Sequence, residues 1–248
     1  LDNGAVVTET MSTAIPAYDS IVHTFSSTID LSAPGNRVLN AWVFLGPDVH
    51  SGNDSTTAII EVRQSVSYPM PYLETFDTWS NCSTANDCEA INCTPSAGWN
   101  QATNNLTDEI DFRTDNGGTP SNNTGPSSDH TQGNGLGRYI YTEASLCFQH
   151  YTEAITPCID LNGTVEPELR YYTHMDGTDM GEIHADVFAN GQWNLDAVAV
   201  RAGDWNDFWW PNIGMLTPYV GQNVLVRFRA TTGPDFRSDL ALDDIGVT

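Results

Sequence analysis

The sequence predicts an all-β protein built from antiparallel strands. Three observations carry that reading. Apolar residues recur with period two over short runs, as at residues 168–174 and 223–231, the spacing that sends alternate side chains to one face of a strand. No run longer than a turn or two keeps the 3.6-residue period of a helix. The connections are too short and too polar for the helical crossovers that parallel strands need.

Taken in order, residues 1–66 carry four candidate strands, at 5–10, 20–25, 38–45 and 57–63. Turn chemistry separates them at Ala33-Pro34-Gly35-Asn36, Gly46-Pro47-Asp48 and Gly52-Asn53-Asp54. Residues 67–72, with Pro69 and Pro71, are expected to form a stiff linker. Residues 73–248 read as a larger β unit with candidate strands at 137–143, 168–174, 181–189, 197–202, 223–231 and 240–247. A polar stretch, residues 108–141, interrupts this unit. A structureless loop of that length inside a domain is uncommon unless it is functional or tied down.

Charge narrows the partners. Asp and Glu number 32 against 9 basic residues, all of them Arg, for a formal net charge of −23. Such a surface repels phosphate backbones and anionic membranes, so nucleic acid is a poor ligand. It suits calcium, which takes clustered oxygen ligands. No apolar run approaches the ~20 residues of a membrane-spanning helix. Five cysteines, at 82, 88, 93, 147 and 158, form no paired C-x-x-C arrangement, which argues against a zinc ribbon. Their two clusters suggest disulfides and an extracellular place, secreted or on a cell surface. No signal peptide is visible, and Leu1 is expected to be the start of a processed or cut fragment.

Residues 73–248 resemble the MAM domain family, in its bacterial branch. The resemblance rests on Glu74-Thr75-Phe76-Asp77, Gly98-Trp99, Asp111-Phe112-Arg113, Gly125-Pro126-Ser127-Ser128-Asp129-His130-Thr131 and Gly137-Arg138-Tyr139-Ile140-Tyr141-Thr142-Glu143-Ala144-Ser145. It continues through Pro157-Cys158-Ile159-Asp160-Leu161, Tyr172-Thr173-His174-Met175-Asp176-Gly177 and Leu240-Ala241-Leu242-Asp243-Asp244-Ile245. It implies an antiparallel two-sheet jelly-roll sandwich, adhesion or binding rather than catalysis, and a structural cation. Residues 1–66 resemble the C-terminal half of a bacterial immunoglobulin-like adhesion domain of the CARDB type, through VTET, HTFSSTIDLSAPGN and AWVFLGPDVHSGNDSTT. That implies an incomplete unit whose open sheet edge packs on the second domain, on a neighbouring chain or on nothing.

The expected metal ligands are Glu74, Asp77, Asp129, Asp243 and Asp244. First and last strands of a jelly roll are often neighbours, so the opening and closing carboxylates converge, and the loop end at Asp129 folds onto them. Calcium is the expected ion, with sodium as the alternative. Strand alternation sends Asp243 and Asp244 to opposite faces, so only one of the two is expected to be a ligand. Cys147 and Cys158 flank a short loop between two strands and are expected to form a disulfide, leaving one pair and one thiol among Cys82, Cys88 and Cys93.

Trp205, Phe208, Trp209 and Trp210 place four aromatics within six residues. They cannot all point inward from a loop. One of Trp209 and Trp210 is expected in the core, and the others are candidates for stacking on sugar rings, binding a protein or packing against the first unit. No catalytic residues are expected. His130 beside Asp129 lacks a G-x-S-x-G nucleophile elbow and is read as a local loop tie. The HMDGTDMGEIHAD run, with His174, His184 and Asp186, is read as two strands and their connection rather than a zinc site. The function expected is a non-catalytic recognition or adhesion module of a larger extracellular bacterial protein, with a protein or cell-surface partner. The alternative is a carbohydrate-binding module that anchors a secreted enzyme to a polysaccharide.

Overall fold

The computed structural model describes every residue except 3, 17, 32–34, 47–49, 63–66, 83–84, 89–94, 96–97, 102–103 and 105–107, and the side chains of residues 35, 36, 51 and 61. The chain divides into two compact units, Leu1–Gln64 and Ser65–Thr248.

Among its described residues the first unit holds one antiparallel pair, β1 (Gly35–Trp42) with β2 (Ser55–Val62), in register from Gly35 opposite Val62 to Trp42 opposite Ser55. The strands expected at 5–10 and 20–25 do not form. Alternation alone gives no ladder where no neighbouring strand offers backbone partners. Those segments are tied instead by Glu9, whose carboxylate accepts bonds from the N–H and hydroxyl of Ser26 at 2.9 and 2.6 Å. Val6, Val22 and Phe25 consequently stay exposed.

The second unit begins earlier than expected. Residues 67–72 are not a linker: β3 (Ser67–Tyr68) pairs with β9 (Cys158–Asp160), and β4 (Tyr72–Glu74) pairs with the last strand. Tyr68 and Met70 pack on the main core and Tyr72 is buried in it, so the apolar content of this stretch overrides its two prolines. The remaining strands are β5 (Asn100–Gln101), β6 (Arg113–Asp115), β7 (Tyr139–Tyr141), β8 (Tyr151–Ile155), β10 (Glu168–His174), β11 (Glu182–Ala189), β12 (Gln192–Ala202), β13 (Trp209–Met215), β14 (Asn223–Thr231) and β15 (Ala241–Val247). One sheet runs β13-β10-β15-β7-β6 with β4 on β15. The other runs β12-β11-β14-β8-β5, with β9 on β14 and β3 on β9. All pairs between these strands are antiparallel except the two-residue β3–β9 match.

The two sheets pack face to face as an antiparallel jelly-roll sandwich. Ile140, Leu169, Tyr171, Leu242, Ile245 and Val247 from one sheet meet Ile183, Ala185, Val187, Val224, Val226 and Phe228 from the other. Tyr171 and Phe228 bridge the sheets edge to face, with ring centroids 4.9 Å apart. The indole N–H of Trp99 donates to the Tyr72 hydroxyl at 2.9 Å, so this large ring is buried without leaving its polar atom bare.

The disulfide expectation is corrected. Cys147 bonds Cys88, not Cys158, and Cys158 is a free thiol. Between Cys147 and Cys158 runs β8, and five extended residues at ~3.3 Å each carry the chain well beyond the reach of a disulfide. Cys88, by contrast, lies with its Cα 6.0 Å from that of Cys147. Cys82 is also disulfide-bonded. Cys93 lies outside the described residues.

Candidate functional site

The polar stretch 108–141 is ordered, and hydrogen bonds over long sequence distances hold it. Asn116 donates to the Gly135 carbonyl at 3.1 Å and the Tyr139 hydroxyl to the Gly117 carbonyl at 2.6 Å, which closes the loop on itself. The Trp209 indole N–H donates to the Ser128 carbonyl at 3.0 Å, and the Gly125 N–H to the Asp176 carbonyl at 3.2 Å.

Asp243 and Asp244 do the rest, and they do it together. The N–H of His130 donates to Oδ2 of Asp243 at 2.8 Å. Nδ1 of His130 and the Thr131 hydroxyl each lie 2.6 Å from the carboxylate of Asp244. The expectation that these two carboxylates face opposite sides of the strand is therefore wrong. Tyr172 pairs with Asp243 but Arg170 pairs with Gly246, so β15 carries one extra residue against β10. Asp244 takes the left-handed backbone at φ 49°. This is a β-bulge, and it turns two consecutive side chains to one loop. His130 then lies flat on Tyr172, with ring centroids 3.5 Å apart.

Asp77 and Asp129 meet across the same loop. The N–H of Arg138 donates to Oδ1 of Asp77 at 2.9 Å, and its guanidinium donates to the Asp77 carbonyl at 2.8 Å. The N–H of Gln132 donates to Oδ2 of Asp129 at 2.6 Å. Gly137 sits between the two carboxylates: a Cβ there would collide with Oδ2 of Asp129 and lie 2.8 Å from Oδ1 of Asp77. Oδ1 of Asp129 is buried with no partner. Glu74 turns aside, accepting the Phe76 N–H at 2.8 Å. Burial pushes the Asp243 carboxyl up to about 8, helped by the charge of Asp244 and opposed by the N–H groups it accepts. Burial also raises Glu74. This donor set is all oxygen and suits a hard cation. Among the described residues, however, no three His, Cys, Asp or Glu side chains make a ligand set by themselves. An ion held by Asp77 and Asp129 would take carbonyls or water as further ligands.

His174 and His184 are engaged by carboxylates. Nε2 of His174 lies 3.0 Å from Asp207, and Nδ1 of His184 lies 2.7 Å from Asp196. His174 belongs to β10 and His184 to β11, in different sheets, so they do not converge as metal ligands. Asp186, next on the face of β11, is taken by Arg227 and Arg229 at 2.7 and 2.6 Å. Thr131, the hydroxyl beside His130, donates to Asp244 rather than facing the imidazole as a nucleophile.

The aromatic run divides. Trp209 packs against Tyr139, Tyr141 and Ala241. Trp205 packs on the main core, donates its N–H to the Ala202 carbonyl at 3.0 Å, and carries the Arg201 guanidinium 4.3 Å above its ring. Phe208 and Trp210 face outward at 66% and 37% exposure. Sequence reasoning missed two groups: the Asp186–Arg227–Arg229 cluster and the buried pair Glu143 and Asp239. Both acids of that pair were visible in the YTEAS and SDLALDD runs, but only strand pairing makes them neighbours.

Comparisons with known proteins find the following similarities. A stretch of 132 residues is 33% identical to thyroid hormone-induced protein B of Xenopus laevis, covering 52% of this chain and 18% of that protein. The K1 cleaved adhesin domain of Lys-gingipain from Porphyromonas gingivalis W83 is 16% identical at a TM-score of 0.40, over 72% of this chain and 98% of that one. A carbohydrate-binding module solved with beta-1,4-galactotriose is 10% identical at a TM-score of 0.40, over 60% and 87%. The family profile described as MAM domain, meprin/A5/mu, matches residues 85–248. The chain, through its second unit, belongs to the MAM domain family.

Proposed function

We propose that the chain is a non-catalytic recognition module of a larger extracellular protein, of bacterial type, and that it binds a protein or cell-surface partner. One observation carries this. β13 ends the six-stranded sheet with no strand partner on its outer side among the described residues. Along it Trp210, Ile213 and Met215 are 37%, 54% and 49% exposed, and Phe208 just before it is 66% exposed. Aliphatic and aromatic side chains on an open strand edge suit a protein partner, which adds backbone pairing to apolar burial. Family membership and the Cys88–Cys147 disulfide support an extracellular place.

A glycan is the second reading. It is favoured by Trp210, exposed among the exposed polar residues Asp204, Asn206 and Asp207. One experiment separates the two. The labelled chain and its Phe208→Ala/Trp210→Ala/Ile213→Ala variant are bound to intact cells, protease-stripped cells and a panel of insoluble polysaccharides. Binding that is lost on stripping and in the variant supports a protein partner. Binding to a polysaccharide that survives protease stripping and is lost in a single Trp210→Ala variant supports the glycan. Equal binding by the variant everywhere overturns both.

Asp77 and Asp129 are proposed to hold a structural cation, calcium ahead of sodium, with Glu74, Asp243 and Asp244 as the surrounding carboxylates. The partnerless Oδ1 of Asp129 supports it. The first unit belongs to the same proposal, as an incomplete immunoglobulin-like piece that a neighbouring chain completes. Phe44 and Leu45, exposed at 91% and 64% after β1, support that.

A further inference from the structure

A second buried acidic pair lies where β7 ends and β15 begins. The two strands keep pairing past their ends: the Thr142 N–H donates to the Leu240 carbonyl at 2.9 Å, and the Leu240 N–H to the Thr142 hydroxyl at 3.2 Å. That pairing sets Glu143 beside Asp239. Glu143 is 1% exposed and Asp239 0%. Each has one satisfied oxygen. The Ala144 N–H donates to Oδ1 of Asp239 at 3.0 Å. The Ser145 N–H and the Ser121 hydroxyl donate to Oε1 of Glu143 at 2.9 and 3.1 Å.

Each also has one oxygen with nothing. Oε2 of Glu143 and Oδ2 of Asp239 are buried without a partner. So is the hydroxyl of Tyr141, a fully buried ring two residues before Glu143. Buried polar atoms normally find partners, and three bare buried oxygens together are costly. The charge of Arg113 acts on Asp239 and Tyr141 from nearby, and neither of their bare oxygens is hydrogen-bonded to it. Arg113 is buried too, and its guanidinium donates to the carbonyls of Ala85 and Asp87. Burial and the charge of Glu143 drive the Asp239 carboxyl well above the ordinary carboxylate range, against the Ala144 N–H, the Thr119 hydroxyl and the charge of Arg113, which pull it down.

We propose that Glu143 and Asp239, joined by the Tyr141 hydroxyl, form a second cation site that takes a hard divalent ion such as calcium. Three oxygens, two of them carboxylate, select such an ion over zinc or copper, which prefer nitrogen and sulfur. Water and neighbouring hydroxyls complete the shell. The ion ties the start of β15 to the loop around Ser121, whose hydroxyl bonds Glu143, and Thr124, whose hydroxyl accepts the Asp239 N–H at 2.9 Å. The site shares no residue with the Asp77–Asp129 cluster and stands or falls separately.

The test is calcium binding to the chelator-stripped full chain, counted by calorimetric titration, for the native sequence and for Asp239→Asn, Glu143→Gln, Tyr141→Phe and Asp129→Asn. Asp239→Asn and Glu143→Gln each lose one calcium per chain and keep whatever Asp129→Asn loses. Tyr141→Phe keeps the ion but weakens it by about tenfold, the equivalent of ~1.4 kcal/mol. An unchanged calcium count in the two carboxylate variants overturns the site and leaves a shared proton between the acids. If both carboxylate variants fail to fold, Tyr141→Phe decides. It only removes a partnerless hydroxyl, so an unchanged affinity at every calcium step overturns the proposal.

Discussion

The main chain of His130 is hydrogen-bonded to the side chain of Asp243, N–H to Oδ2, at 2.8 Å and 113 residues apart in sequence. Asp244 seconds it through the imidazole and through Thr131. The bulge at Asp244 makes the double grip possible. Asp244→Ala loses both side-chain bonds and keeps the left-handed backbone, and is expected to cost about 2 kcal/mol. Asp244→Gly loses the same bonds but accepts the backbone freely, and recovers up to ~1 kcal/mol. Urea unfolding midpoints of the two variants check this. Equal midpoints would remove the bulge from the explanation.

The proposed ion at Asp77 and Asp129 makes stability depend on metal. A ligand that binds only the folded chain stabilises by mass action. Chelation is expected to lower the melting temperature by several degrees, ~2–4 °C for each kcal/mol at this size. Asp129→Asn melts lower in calcium and responds less to chelator. A native chain whose melting curve ignores chelator and that retains no metal contradicts the ion.

Asp186 is fully buried under two arginines. Burial opposes its ionisation, but bonds from Arg229, from the Asp196 N–H and from Arg227 outweigh it and hold the carboxyl below its usual range. Asp186→Asn leaves Arg227 and Arg229 half-buried without their main partner, and is expected to cost about 3–5 kcal/mol. Arg229→Met with Asp186→Leu, which removes most of the charge together, costs less than Asp186→Asn alone. Denaturant titration of the three proteins measures it.

Asp108 behaves in the opposite sense. Burial, opposed by the Glu153 N–H and aided by the charges of Asp111, Glu153 and Glu109, pushes its carboxyl up to about 7. An unfolded aspartate titrates near 3.9, so folding takes up a proton between those values. The stability Asp108 contributes is full below pH ~4 and is lost as pH rises through about 7. Asp108→Asn is expected to flatten that part of the stability profile. Unfolding midpoints at pH 5 and pH 8, native against variant, provide the comparison.

Cys88 and Cys147 stand 59 residues apart. On the chain-entropy account a loop of that size makes the disulfide worth about 4 kcal/mol. Cys88→Ala/Cys147→Ala is expected to lose that amount. Cys158→Ala, which touches no disulfide, is expected to lose little. Melting of both variants without reductant tests the pairing directly.

Much of this protein was legible in its sequence. Period-two patterning at residues 168–174 and 223–231 specified strands because burial of one face requires it. The DHT and LDDI runs identified the family, and they also marked the places where the long loop is held. The absence of a nucleophile elbow beside His130 was equally plain. Tertiary structure decided the rest, and for definite reasons. Cys147 chose Cys88 because β8 carries Cys158 away. Residues 67–72 joined the sandwich because Tyr68, Met70 and Tyr72 have apolar surface to bury. The strands expected at 5–10 and 20–25 found no ladder to join. Asp243 and Asp244 came to one side because a bulge adds a residue that periodicity cannot foresee. Local pattern depends on near neighbours along the chain, whereas partners, bulges and orphaned oxygens arise only when distant strands come into register.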